Sequence, residues 1–104
     1  MLKFAFELFG TFVFLSVILY ATDKTFPWPT LTPIMIIAGL LAGIVVSANV
    51  SGAHLNPAVS IAMLLNGKLP VGEFFPYIFG QVGGAVLAVV VFNSMSKLPL
   101  HIFS

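Results

Sequence analysis

The chain reads as an all-α membrane protein with three spanning helices and one shorter helix that enters the membrane without crossing it. Three observations predict this class. Of 104 residues, 60% are hydrophobic and only 7% carry a formal charge, too few to cover a water-facing surface. Three apolar stretches each approach the length of one hydrocarbon thickness. A fourth lies between the second and third and is too short to cross.

The first stretch runs from about Phe4 to Ala21 and is almost continuously apolar. Eighteen residues rise about 27 Å as a helix, close to one bilayer core. Lys3 ahead of it fits a cleaved leader loosely. Glu7 interrupts the run, however, and residues 21–25 offer a poor cleavage site, so an anchored helix is expected. The segment Ala21 to Thr30 breaks the run, because Pro27 and Pro29 oppose helix continuation and Asp23 and Lys24 belong in water. Phe26 and Trp28 read as interface anchors.

The second stretch runs from about Thr32 to Val50, with Pro33 in its first turn. Gly39, Gly43 and Ser47 recur every four residues, a narrow face along which another helix can approach closely. The third runs from about Phe74 to Phe92, and Gly80, Gly84 and Ala88 repeat the same spacing. Lys97, Pro99 and His101 read as a short tail outside the membrane. Three spans place the two termini on opposite faces.

Between these stretches lies Ser51 to Asn66. Its apolar part, Ala58 to Leu65, would rise only about 12 Å as a helix and cannot span. Asn56 suits the N-cap, Pro57 the first turn, and Asn66 with Gly67 the end. Residues 25–67 carry no formal charge, so a re-entrant loop with a half-helix is expected over 51–66. Non-helical backbone at that depth must be buried in protein or line a wet cavity.

Composition excludes several functions. The chain has no cysteine, which removes a disulfide framework, a thiolate nucleophile and a cysteine metal site. It has no arginine, so no nucleic-acid partner is expected. Neither a Ser/His/Asp set nor paired carboxylates can be placed together, so neither enzyme activity nor a cofactor is expected. His54 has no second ligand nearby, and no metal site is expected. The polar groups within apolar surroundings are therefore the candidates. Glu7 lies about one turn into the first helix, and position alone leaves open a partner inside the bundle or a place at the interface near Lys3. Gln81 lies two turns into the third. Asn56 can cap the half-helix with its carbonyl oxygen while its amide donates into a cavity. The half-helix N-terminus adds a partial positive charge there.

"SGAHLNPAV" at Ser51 to Val59 resembles the first pore loop of the aquaporin and glycerol-facilitator (major intrinsic protein) family, with Asn56, Pro57 and Ala58 matching its Asn-Pro-Ala signature. "ELFGTF" at Glu7 to Phe12 resembles the family's first helix and "GQVGGA" at Gly80 to Ala85 its third. The resemblance covers nearly the whole chain and identifies residues 1–104 as one aquaporin-like half-repeat. It implies a passive channel in which Asn56 donates to the permeating molecule. It also implies that Glu7 and Gln81 brace the loop backbone and that His54 helps hold the loop.

Family members are normally twice this long, with two inverted halves meeting at their Asn-Pro-Ala corners. A single half leaves its re-entrant loop exposed on one side, so a second, inverted copy is the expected cover. The expected assembly is an antiparallel homodimer within membrane lipid, and four pores would need eight chains. Lys3 and Lys68 fall on one side of the membrane and Lys24 and Lys97 on the other, a balance suited to insertion in both orientations. The open alternative is a non-conducting half-channel, or an accessory subunit of a full-length channel. Where the family's second half usually places arginine after its Asn-Pro-Ala, this chain has Val59. A filter built around Ile36 would be equally apolar. The expected permeants are water and small neutral solutes such as glycerol, with dissolved gases also in range.

Overall fold

The structure, a computed structural model, describes residues 1–96. Helix α1 covers Leu2–Ala21, a 3-10 turn Pro29–Leu31 leads into α2 at Thr32–Ser51, the half-helix α3 covers Pro57–Leu65, and α4 covers Val71–Ser96. Three of these helices are long and apolar enough to cross a membrane. The tail residues Lys97, Pro99 and His101 lie outside the described residues.

The first two helices and the half-helix fall close to their expected bounds. Helix α4 is longer than the expected 74–92. Its start is set by Pro70, whose carbonyl accepts from the Glu73 amide at 2.9 Å, and Glu73 lies in the first turn, where a carboxylate complements the helix dipole. Its far end continues through Asn93 and Ser94. Polar residues end an apolar run without ending the helix, so the run marks the lipid-facing length only. Pro76 is consequently the sixth helical residue and leaves one backbone bond unmade within α4.

Helix α1 is the middle of the bundle, packed on one side by α2 and on the other by α4. Both small-residue faces point at it. Gly39 packs on Val17, Gly43 on Gly10, and Gly80 on the Phe4–Glu7 turn; Ser47 and Ala88 are fully buried. The approach is close enough that side chains are excluded. A Cβ on Gly43 would fall 2.8 Å from the Gly10 carbonyl oxygen, and one on Gly84 would strike the Leu8 carbonyl and lie 3.0 Å from the Phe12 amide nitrogen. Gly84→Leu is therefore expected to destabilise the fold by about 1–3 kcal/mol or more, because backbone must move to admit it. Gly72→Ala, which meets nothing within 4 Å, is the matched control. Thermal loss of the monodisperse species in detergent measures the difference.

The α1–α2 connection is fastened by the Thr32 hydroxyl, which donates to the Ala21 carbonyl at 2.7 Å. Within it, the Thr25 amide and hydroxyl both donate to Asp23, and these bonds hold the Asp23 carboxyl below its usual range. Of the two expected anchors, only Trp28 faces outward. Phe26 is buried, edge-on to Tyr20 at 5.2 Å and to Trp28 at 6.0 Å.

At the opposite face, Lys3 reaches Glu73 with Nζ–Oε distances of 3.0 and 3.1 Å. Lys3 thus serves α4 and is not the partner of Glu7. The pair is exposed, so it contributes about 0–1 kcal/mol. It sets the start of α1 level with the start of α4, the face to which Lys68 also belongs.

Candidate functional site

Helix α2 ends at Gly52 in the left-handed region (φ 81°). Ala53 and Leu55 follow with φ of 54° and 58°, a conformation that side chains disfavour and that surroundings must impose. Glu7 imposes it. The carboxylate is fully buried. Its Oε1 accepts from the Leu55 amide at 2.8 Å and from Gln81 Nε2 at 2.9 Å. Its Oε2 accepts from the Ser51 hydroxyl at 2.6 Å and from the His54 amide at 3.0 Å. An ionised carboxylate offers about four lone-pair sites, and four donors from three segments fill them. The choice left open for Glu7 is resolved toward the bundle interior.

Gln81 extends the network, since its Nε2 also donates to the Ser60 hydroxyl at 2.8 Å. Ser60 Oγ lies 2.9 Å from His54 Nδ1, a hydrogen bond whose donor is set by the imidazole tautomer. The His54 ring rests on Tyr77 with centroids 4.7 Å apart, and the Tyr77 hydroxyl donates to the Ser51 carbonyl at 2.6 Å. The His54 ring is thus held by the half-helix and by α4. Among the described residues no group of three His, Cys, Asp or Glu side chains converges on a metal position.

The effect of this bracing is to fix Asn56. Its backbone is extended (φ −157°), and its Oδ1 accepts from the Ala58 amide at 2.8 Å, capping α3. The side chain is exposed, and its Nδ2 donates to none of the described residues. Pro57, Ala58 and Val59 are exposed beside it. Asn56 and Pro57 border a groove of about 230 Å³ between α1 and α4, walled by Thr11, Phe14, Gln81 and Val82. Thr11 Oγ1 and Gln81 Oε1, both in buried side chains, have no hydrogen-bond partner among the described residues. Ile36 lies toward the far end of α2, half-buried, and does not border this groove. The corner therefore presents two amide hydrogens at the positive end of a short helix, beside a mostly apolar groove with no charged side chain in its lining. Such an arrangement can bond a neutral hydrogen-bond acceptor, and a helix N-terminus disfavours a cation.

The sequence singled out Glu7, His54, Asn56 and Gln81, and the structure joins the first, second and fourth into one network around the third. It missed Ser51, Ser60 and Tyr77. The available signal for Ser60 was a lone hydroxyl in an otherwise apolar half-helix. Serine and tyrosine are otherwise too common to stand out.

Three apolar crossing helices and a half-helix entering beside them make this an integral, multi-pass membrane protein. The model of the family described as major intrinsic protein matches residues 34–101, well over half of the chain. The chain belongs to the major intrinsic protein family. It is 45% identical over 40 residues to Aquaporin Z of Bradyrhizobium diazoefficiens, covering 38% of this chain and 17% of that protein. It is 41% identical over 61 residues to the propanediol uptake facilitator of Salmonella typhimurium, covering 55% and 23%. It is 48% identical over 46 residues to the glycerol uptake facilitator protein of Streptococcus pneumoniae, covering 44% and 20%. The matched stretches thus span about a fifth of each of these relatives. No solved structure matches the chain.

Proposed function

We propose that this chain forms one half of a passive channel for water and small neutral solutes, and that a second copy inserted in the opposite orientation completes the pore. The observation that carries the reading is the Asn56 side chain: its oxygen is committed to the helix cap while its amide stays free at the end of a braced half-helix. The named relatives support the solute class, since two are uptake facilitators for propanediol and glycerol.

The geometry supports the need for a second half. The nine residues of α3 rise about 13 Å, less than half of the bilayer core. The exposed corner and groove would otherwise leave irregular backbone against lipid. An inverted copy brings a second Asn56 to mid-membrane, and four such pores would take eight chains. Val59 after the corner and the lack of arginine make the constriction apolar, which favours admitting small polyols beside water.

Osmotic shrinkage of liposomes holding the purified chain, followed by light scattering under sucrose, glycerol and propanediol gradients, tests the activity. Water permeability well above that of empty liposomes is the expected result. Well-folded protein at the empty-liposome rate would sink the channel and leave an accessory subunit as its role. Labelling one terminus from both sides of sealed vesicles tests the inverted pair, which predicts reaction from each side.

A further inference from the structure

The hydrogen bonds of the corner network have a direction, and it starts at the Glu7 carboxylate. Four donors fill its lone-pair sites, so Glu7 accepts from every partner. Reversing the Gln81 amide would set two oxygens facing each other at 2.9 Å, so Nε2 is the atom that meets Glu7. An amide nitrogen carries two hydrogens. One goes to Glu7 Oε1, and the other goes to Ser60 Oγ at 2.8 Å. Ser60 therefore accepts from Gln81 and must send its own hydrogen elsewhere.

Ser60 is fully buried. Among the described residues its hydroxyl has one other hydrogen-bond partner, His54 Nδ1 at 2.9 Å. A hydrogen on Nδ1 would aim two N–H groups at Ser60 Oγ and leave the Ser60 O–H buried without an acceptor, an unfavourable state. Nδ1 is then the bare nitrogen, and the neutral ring carries its hydrogen on Nε2. Tyr77 does not compete for that choice, because its hydroxyl donates to the Ser51 carbonyl. The two ring nitrogens point in nearly opposite directions, so Nε2 faces away from Ser60. It has no hydrogen-bond partner among the described residues. It lies on the side of Gly52, which is exposed, and a Cβ on Gly52 would be 3.9 Å from it.

We propose that Gln81 and Ser60 are positioning residues that relay the polarity of Glu7 to the His54 ring and fix it as the Nε2–H tautomer. The loop then holds a second oriented donor, two residues before Asn56. Both donors suit one kind of partner, a neutral solute with several lone pairs, such as a diol. That use of the donor rests on the channel proposed above, whereas the tautomer does not.

The chain has two histidines, so His101→Gln leaves His54 as the sole imidazole. Solid-state NMR of isotope-labelled histidine in lipid, at about pH 8 and so above the ordinary imidazole range, separates a protonated ring nitrogen from a bare one. A single form is expected, with Nε2 protonated and a correlation between the Ser60 hydroxyl hydrogen and a bare Nδ1. Ser60→Ala removes the hydroxyl that disfavours the other tautomer, and the Nδ1–H form is expected to rise about tenfold, the order implied by one buried hydroxyl left unpaired. A protonated Nδ1 in the His101→Gln chain, a missing hydroxyl correlation, or a folded Ser60→Ala chain with unchanged tautomers would each overturn the relay. In liposomes, His54→Phe keeps a ring on Tyr77 and removes the Nε2–H. It is expected to lower propanediol permeability relative to water about fivefold, the factor for one hydrogen bond of ordinary strength. An unchanged ratio would overturn the use of the donor by the solute. Native liposomes no more permeable than empty ones, with the Nε2–H spectrum intact, would end the channel reading and leave the relay standing.

Discussion

Glu7→Gln is expected to release the re-entrant loop. The substitution keeps size and shape but replaces one acceptor oxygen by an NH2 group facing two donors. If the NH2 takes the Oε1 position, it opposes the Leu55 amide and Gln81 Nε2. If it takes the Oε2 position, it opposes the Ser51 hydroxyl and the His54 amide. The second is the less costly, because the Ser51 hydroxyl can turn toward the Ser47 carbonyl, already 3.2 Å away. The His54 amide has no such escape. The part-buried His54 N–H is left unpaired, costing about 1–3 kcal/mol, and the two remaining bonds lose the strength that charge lends them. The strained backbone at Ala53 and Leu55 then loses what holds it. Permeability should fall toward that of empty liposomes while helix content by circular dichroism stays near wild type. Glu7→Ala, which strands all four donors, should not yield a stable fold. Lys3→Met, removing an exposed pair, should change little. Permeability of Glu7→Gln at the wild-type rate would contradict the bracing role of the carboxylate.

Asn56→Asp is expected to convert the corner from cation-opposing to cation-admitting. An aspartate retains the oxygen that accepts from the Ala58 amide and caps a helix as well as asparagine does, so α3 should remain intact. The two amide hydrogens disappear, and a full negative charge replaces them at a helix end worth about +0.5 charge. The local potential changes sign. Proton or sodium leak, read with a pH-sensitive dye or a sodium indicator in the liposomes, should rise about tenfold or more, the factor for each 1.4 kcal/mol removed from the barrier. Water permeability should fall at the same time. An unchanged ion leak with a folded corner would show that exclusion does not depend on Asn56.

Spans were legible because lipid imposes a one-dimensional rule: apolar residues for one bilayer thickness. The half-helix was legible because Asn56, Pro57 and Gly67 mark its ends by backbone chemistry alone. The face along Gly39, Gly43 and Ser47 was legible through its period, although the sequence did not say which helix it met. What the residues by themselves did not show were partnerships across long separations, and the family resemblance alone implied that Glu7 and Gln81 act together. Glu7 and Gln81 are 74 residues apart, and Lys3 and Glu73 are 70. No local pattern records such a pair, and for Glu7 the nearer Lys3 offered an equally reasonable partner. Phe26 was misplaced for a related reason. Its chemistry suits an interface, but its ring meets Tyr20 and Trp28 only once the turn has closed.

The arrangement of donors around Glu7 has a consequence for the order of synthesis. The carboxylate enters the membrane on the first helix, but its partners arrive later: Ser51, His54 and Leu55 after another 44–48 residues, and Gln81 after 74. Until then α1 carries a carboxyl group that lipid cannot solvate. The first helix is thus the element least able to settle by itself, and also the one on which the other two pack. Maturation in the membrane should therefore be late and concerted, with α1 held loosely by the insertion machinery until α4 emerges. A ribosome-arrested chain ending before Gln81 would then still crosslink to that machinery through α1, whereas one ending beyond α4 would have left it.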